Sequence, residues 1–271
     1  MTTTLADLPV WLISLERATD RRLRMVERLG RLGLSYTIFG GVDGKAREAE
    51  LLASVDQAAF MRNMGRGILI GGIGCYHSHL GVWRAFLATK AEVALILEDD
   101  VIFQDDFVDA VRLGLQADQH WDFLKLNCIR AKLPVRQGTV GPYALNAYLG
   151  PATGTGAYLI RRDTAARLLA AMLPVTRATD HEINRFFVHD FRLRGLEPFP
   201  SELEVGESLI ATGPEGYRSI GKFAWYRRLP NYRLRIANYF RRGWWMLTKG
   251  EIWPKSTKLV TRPDNRKDSD D

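Results

Sequence analysis

The stretch from Ala91 to Asp106, Ala-Glu-Val-Ala-Leu-Ile-Leu-Glu-Asp-Asp-Val-Ile-Phe-Gln-Asp-Asp, constrains this chain more than any other. Val93-Ala94-Leu95-Ile96-Leu97 is apolar without alternation, as a strand must be when both faces of its sheet are covered. The run stops abruptly at Glu98-Asp99-Asp100. Three adjacent carboxylates at the carboxyl end of a strand repel one another and lose hydration, and a divalent cation held by hard oxygen ligands relieves that cost. In open α/β sheets the ligand crevice lies at this end of the strands. A solvated acidic turn after an ordinary strand is the reading that competes with it.

The flanking sequence supplies the rest of such a sheet. Val10-Trp11-Leu12-Ile13-Ser14-Leu15 reads as a first buried strand. Thr19 or Asp20 is placed to cap the helix after it, in which Leu23, Val26 and Leu29 share a face and Arg21, Arg22, Arg24 and Arg28 are mostly solvated. Tyr36-Thr37-Ile38-Phe39 is a short second strand, so strand, helix and strand follow within about 30 residues, the βαβ pattern. Residues 46–63 read as helical, Gly65 to Gly74 as a glycine-rich connection, and 75–90 as a helix carrying His77, His79 and Trp83. After the acidic strand come a helix over Phe107–Leu115, a strand over Phe123–Asn127 and a turn-rich region, 130–152, whose loop position suits it to set specificity. Ala157-Tyr158-Leu159-Ile160 is a strand, Asp163 caps a helix over 164–172, Thr179-Asp180-His181-Glu182 opens another through Phe191, and Gly195-Leu196-Glu197-Pro198 turns into a last short strand.

Composition narrows the class. The 271 residues can bury a sizeable core, and 46% apolar with 25% charged residues is ordinary for a soluble protein. No apolar run reaches the roughly 20 residues of a transmembrane helix. Met1 to Pro9 holds no basic residue and so lacks the n-region of a secretory signal, and two cysteines, Cys75 and Cys128, make neither a disulfide framework nor a zinc cluster. A reducing, cytoplasmic setting is the expectation. The net charge of +7 is unevenly spread: 12 Lys and Arg against one acid, Glu251, fall between Tyr217 and Arg262, whereas 1–216 is slightly acidic. We therefore expect a body over 1–216 and a basic, aromatic segment over 217–271.

Several side chains are placed for chemistry, each with a plainer role beside it. Arg17, Arg21 or Arg22 can neutralise phosphates or simply be solvated. Asp43 in Val42-Asp43-Gly44 can accept from a base or ribose hydroxyl, or form the turn. His77 and His79 face different ways on a helix, poor geometry for one metal, and His79 beside Leu80 suits a buried, hydrogen-bonded histidine. Asp180 reads as an N-cap in geometry and also as a general base. Cys75 reads as a small core residue. Gly71-Gly72-Ile73-Gly74 lacks the Gly-Lys-Ser/Thr ending of a phosphate loop.

Three blocks together resemble glycosyltransferase family 25, the lipooligosaccharide galactosyltransferase-like proteins. They are Val10 to Arg17 with Asp20-Arg21-Arg22 and Val42-Asp43-Gly44; Gly74-Cys75-Tyr76-His77-Ser78-His79 with Trp83, leading into Leu95 to Asp100; and Thr155-Gly156-Ala157-Tyr158-Leu159-Ile160 with Asp180 downstream. Their order and spacing cover about residues 9–210. The resemblance implies a GT-A-like, Rossmann-type α/β fold with a mostly parallel central sheet, and inverting transfer of a hexose, typically galactose from UDP-galactose, onto a surface glycan such as lipopolysaccharide. A catalytically inactive glycan- or nucleotide-binding protein on the same fold is the alternative. The resemblance makes Glu98-Asp99-Asp100 this chain's form of the metal motif, with Glu98 and Asp100 on Mn²⁺ or Mg²⁺ and Asp99 on ribose or sugar, since alternation turns Asp99 the other way. Donor contacts then fall to Leu15, Arg17, Arg21, Asp43, His79 and Asp99, and the base to Asp180. Arg161 stands where the family usually has Ser, and Thr179 where Pro or a small apolar residue often precedes the Asp.

The C-terminal segment is outside these blocks. It interleaves Trp225, Tyr226, Tyr232, Tyr239, Phe240, Trp244, Trp245 and Trp253 with six arginines. Such a pattern suits peripheral docking to an anionic membrane, here the cytoplasmic face of the inner membrane, through residues 217–262. Nucleic acid ranks lower because the body is slightly acidic and carries no nucleic-acid motif. Packing of a helical appendage onto the core is the third reading.

Overall fold

The computed structural model describes residues 3–204 and 221–261. The start of the basic segment and its acidic tail lie outside the described residues. The elements open with β1 (Val10–Ser14), α1 (Thr19–Arg31) and β2 (Thr37–Gly40), then α2 (Glu48–Ala53), α3 (Gln57–Met64) and α4 (Ile70–Leu87). Next come β3 (Val93–Glu98), β4 (Val101–Phe103), α5 (Phe107–Gln116), β5 (Phe123–Lys125), β6 (Arg130–Ala131), β7 (Pro134–Val140) and β8 (Tyr143–Tyr148). β9 (Ala152–Thr153), β10 (Ala157–Arg161), α6 (Arg162–Ala171), α7 (Thr179–Ile183), α8 (Phe186–His189), β11 (Leu193–Glu197) and β12 (Ser201–Leu203) follow, and α9 (Leu229–Thr248) and β13 (Lys258–Val260) lie beyond residue 220.

Nine strands form one sheet in the order β13-β7-β8-β11-β5-β10-β3-β1-β2. β3 is buried on both faces, as its unbroken apolar run requires. Ala94 and Ile96 join Trp83 and Phe86 of α4 in one apolar layer, while Val93, Leu95 and Leu97 join Met25 and Leu29 of α1 and Val111 of α5 in the other. Fully burying a side chain of this size stabilises the fold by roughly 1.5–3 kcal/mol. β1 pairs in parallel with both β2 and β3. The chain thus moves one way from β1 to β2 and then crosses to the other side of β1, which makes the β1–β3 seam a topological switch point. Trp245 and Met246 of α9 enter the same layer as Trp83, and β13 extends the sheet beside β7. Among the described residues no helix is long and apolar enough to cross a membrane.

Several expectations need correction. The sheet is mixed, not mostly parallel: β10 runs antiparallel to both β3 and β5, and β8 antiparallel to both β7 and β11. The turn-rich region 130–152 is largely strand. Pro134 opens β7, where no ladder donor is lost, and Gly141, at φ 57°, and Pro142 make the two-residue loop to β8. Gly195-Leu196-Glu197 likewise belongs to β11 and is no turn. α4 starts at Ile70, so it runs through the glycines expected to connect. A Cβ on Gly74 would come within 2.5 Å of the Val42 carbonyl oxygen, so glycine lets α4 lie backbone to backbone on the 42–44 turn.

Caps were misplaced as well. Ala18, Arg161 and Ala178 occupy the N-cap positions of α1, α6 and α7, and no side chain caps them, so Thr19, Asp20, Asp163 and Asp180 lie inside the first turns. The helix expected to run from Thr179 to Phe191 is two short ones, α7 and α8. In α1 the inward face is Arg21-Met25-Arg28-Leu29, and Leu23 and Val26 are exposed. The helix is turned by carboxylates and carbonyls that its arginines meet, not by its own apolar spacing.

Candidate active site

The carboxyl ends of β1, β2 and β3 meet the first turns of α1 and α4 around a cavity of ≈ 130 Å³. Leu15, Arg17, Arg21, Asp43, His79, Glu98, Asp99 and Asp100 all line it. The strand ends at Glu98, so Asp99 and Asp100 form a turn and the alternation argument stops applying there. Arg21 Nη2 reaches both, 3.0 Å from Asp99 Oδ1 and 2.6 Å from Asp100 Oδ2. Glu98 turns instead toward His79 and Thr155. The arginines expected to be solvated are therefore partners. Arg22 Nη2 donates to the Leu15 carbonyl at 2.9 Å, and Arg28 Nη1 donates to the Val101 carbonyl at 3.0 Å; Arg24, nearly half exposed, meets Glu204 at 3.4 Å.

A relay fixes Glu98. The Glu98 carboxylate can only accept, so His79 Nε2–H donates to Oε1 at 3.1 Å; Nδ1 of the neutral ring then accepts from the Tyr158 hydroxyl at 2.8 Å, and that hydroxyl accepts from Trp83 Nε1 at 2.9 Å. His79 is thus the buried, hydrogen-bonded histidine its neighbours implied, and His77 points elsewhere, to Ser54. Burial works against the Glu98 carboxylate, but the hydrogen bonds from His79 and Thr155 and the Arg21 charge hold its pKa below the usual range. Asp100 goes the other way. Burial and then the Glu98 charge push it up to about 6, with Arg21 opposing. Asp99 is raised as well, chiefly by burial. Across the cavity Arg17 Nε lies 2.5 Å from Asp43 Oδ2 and lowers the Asp43 pKa, while Asp43 Oδ1 accepts from the Lys45 amide at 3.0 Å. Asp43 thus forms the turn and an ion pair at once.

Two ligand sets compete for a cation. Cys75, His79 and Glu98 bring one ligand atom each within 4.8 Å of one another. Both His79 nitrogens are engaged, however, and burial raises the Cys75 thiol well above its ordinary pKa, so these two offer no lone pair to a cation and His79 serves to orient Glu98. The carboxylates fit better. Asp100 Oδ1 is buried and has no hydrogen-bond partner, the unmet acceptor that a hard cation satisfies.

Asp180 lies outside this cavity. It lines a neighbouring one of ≈ 470 Å³ that shares Leu69 with the first. Its Oδ2 accepts from the Gly154 amide at 3.1 Å and its Oδ1 from the His181 amide at 2.8 Å. The Gly154-Thr155 dipeptide therefore ties the two carboxylates together, Gly154 N to Asp180 and Thr155 Oγ1 to Glu98. Thr155 was quoted only as part of a motif, and Cys75, read as core, lines the first cavity. Lys125 was missed too. It is 1% exposed, burial lowers its pKa, and Nζ donates to the Gly154 carbonyl. Its signal was available, a cation inside the otherwise apolar Phe123-Leu124-Lys125-Leu126.

Comparison with known proteins agrees with this geometry. A family model described as glycosyltransferase family 25 (LPS biosynthesis protein) matches residues 7–183. A glycosyltransferase 25 family member of Aedes aegypti is 27% identical over 232 residues, covering 78% of this chain and 37% of its own length. Procollagen galactosyltransferase 2 of Homo sapiens is 27% identical over 227 residues, with 78% and 36% covered. Inactive glycosyltransferase 25 family member 3 of Homo sapiens is 29% identical over 179 residues, with 61% and 30% covered. The chain spans between 30% and 37% of the length of these curated relatives. The family match takes in β1, the α4 histidines, the acidic end of β3 and Asp180, and on that match the chain belongs to glycosyltransferase family 25.

Proposed function

We propose that this chain is a metal-dependent, inverting glycosyltransferase that moves a hexose, galactose from UDP-galactose, onto a surface glycan of the lipopolysaccharide type. The observation that carries the reading is the convergence of Arg17, Arg21, Asp43, Glu98, Asp99 and Asp100 on one cavity at the β1–β3 switch point. Family membership supports glycosyl transfer, the name of the human procollagen galactosyltransferase supports galactose, and the family description supports a lipopolysaccharide acceptor.

Asp100, through its unpartnered Oδ1, and Glu98 would hold Mn²⁺ or Mg²⁺. When bound, the cation supplies Lewis-acid neutralisation of the departing nucleoside diphosphate. Arg17 and Arg21 add positive charge beside the phosphates, and Asp43 and Asp99 accept from ribose or sugar hydroxyls. His79 acts through Glu98, whose carboxylate it orients. Asp180, on the adjoining cavity, takes the acceptor hydroxyl proton as that oxygen attacks the anomeric carbon opposite the diphosphate. Docking to the cytoplasmic face of an anionic inner membrane falls to α9, where Leu229, Ile236, Phe240, Trp244 and Leu247 form an exposed stripe at helical spacing. Nucleic acid has no role in this reading.

Asp100→Ala tests the proposal. With UDP-galactose and Mn²⁺, turnover by transfer or slow hydrolysis should fall by about 10²–10³-fold, the scale for losing one electrostatic contact to developing charge. Wild-type turnover in the variant sinks the metal assignment. A wild-type chain that turns over no sugar nucleotide at all leaves the second reading, a binding protein without turnover, which the matched relative named inactive keeps in view.

A further inference from the structure

The cavity that holds Asp180 is far more basic than an uncharged sugar acceptor requires. Nine Lys and Arg residues line its ≈ 470 Å³, against a single carboxylate, Asp180 itself. They converge from distant parts of the chain: the β6 edge, the α7 turn, the segment around Lys222, and one side of α9. Some of this charge is structural. Arg177 and Arg185 pair with Glu182, and Arg242 donates to the carbonyls of Leu149 and Asn184. Arg130, Lys132, Lys222 and Arg235 are not in that group. Among the described residues none of these four has a carboxylate within ion-pair distance, although all four face one cavity. All four are exposed and solvated, and their shared sign gives the cavity a positive potential that concentrates anions.

A second observation points the same way. Arg228, half-buried on the cavity wall with its guanidinium over the Tyr232 ring at 5.0 Å, keeps a buried Nε without a hydrogen-bond partner. Arg242, only 4% exposed, does the same. Both guanidiniums stand at the cavity wall with hydrogen-bonding capacity the protein does not fill, a placement that favours oxyanions on a ligand. The aromatic stripe of α9 lies on the opposite side of that helix from Arg228, Arg235 and Arg242, so the charge here serves a bound molecule rather than the face assigned to the membrane.

We infer that this cleft is the acceptor subsite and that it selects a glycan carrying phosphate or carboxylate groups. The inference rests on the transferase reading for the word acceptor, but the charge argument stands without it. Binding to the 271-residue chain is therefore measured without any donor, by calorimetric titration with three oligosaccharides of equal length: a 6-phosphorylated maltopentaose, neutral maltopentaose and a pentagalacturonide. At low ionic strength the phosphorylated or the carboxylated ligand should bind about tenfold more tightly than the neutral one. The arm that binds identifies the anion, and added salt should erode its advantage. In Lys132→Gln/Arg235→Gln the preference should drop to near parity while UDP binding and melting temperature stay as in the wild type. Arg130→Gln/Lys222→Gln, on other segments, should repeat the effect if the first pair fails to fold. Equal binding of all three ligands overturns the inference, as does a preference that survives both double substitutions. Failure to turn over UDP-galactose bears on the transferase reading alone.

Discussion

Two buried carboxylate clusters in this molecule are treated in opposite ways. Glu182 in α7 is met by three cationic or hydrogen-bonding partners: Arg177 at 2.6 Å, Arg185 at 2.8 Å and His189 Nε2 at 2.8 Å. Burial alone would raise its pKa, yet the His189 hydrogen bond and the two arginine charges bring it down to about 2. At the end of β3 Asp99 and Asp100 share one arginine in direct contact, Arg21, while neighbouring Glu98 has only His79 and Thr155, and Asp100 is pushed up to about 6. The fold can neutralise a buried acid completely, and near the switch point it does not. A cluster of buried carboxylates left short of positive charge marks where a ligand belongs.

The comparison is broken most easily at Glu182. Glu182→Gln leaves Arg177 and Arg185 buried against an amide, which should cost about 3–5 kcal/mol in denaturant unfolding, the range for removing one partner of a buried ion cluster. A loss under about 1 kcal/mol would mean that solvent already screens the cluster.

Acid titration reads the same contrast in the wild type. The folded pKa of Glu182 is depressed, so its stabilisation is complete above its unfolded value of 4.5 and is lost as pH falls toward about 2. The amount at stake is roughly 3 kcal/mol. The folded pKa of Asp100 is raised, so its ionisation costs stability as pH climbs from 3.8 through about 6. In metal-free buffer, the two groups together should therefore put the stability maximum at pH ~4, with a fall on either side of it. Glu182→Gln should flatten the acid limb, and Asp100→Asn the neutral one. Coincident curves for all three proteins would contradict both assignments.

How far the sequence disclosed this contrast depends on where each partner comes from. β3 was legible because burial on both faces leaves a continuous apolar run, Val93 to Leu97, and the carboxylates that end it are adjacent. The eight residues expected at the donor site meet at one cavity because strand ends and the turns after them are local features. The inward arginine face of α1 was not legible. Arg21 is turned by Asp99 and Asp100, and Arg28 by Val101 and Glu204, all 70 or more residues away. The β7–β8 hairpin was misread because Pro134, Gly138, Gly141 and Pro142 are turn formers by composition, although Pro at a strand's first residue and Gly in a two-residue loop fit a hairpin equally well. Asp180, read as a helix cap, lies instead inside the first turn of α7. The Gly154 amide that holds it comes from the connection between β9 and β10, which no local pattern ties to α7.

A divalent cation should sharpen the contrast by a smaller amount. If Asp100 and Glu98 hold Mn²⁺, adding it at about 100 times its Kd should stabilise the wild type by ~2.7 kcal/mol, read as a rise in melting temperature over protein in EDTA. Asp100→Asn should lose that rise, and Glu182→Gln should keep it. An equal rise in all three proteins would place the cation elsewhere.

The smallest effect is the most telling, because its sign separates a site from a scaffold. Metal-free Asp100→Asn at pH 7 removes a carboxylate that burial and Glu98 both disfavour, and it also removes one Arg21 contact of 2.6 Å. Arg21 keeps Asp99 at 3.0 Å, so the guanidinium is not stranded. The two changes oppose each other, and the repulsion removed is the larger, so the variant should be more stable than the wild type by ~1 kcal/mol in EDTA while losing turnover. A carboxylate kept for packing would show the opposite pairing, with stability lost and turnover retained.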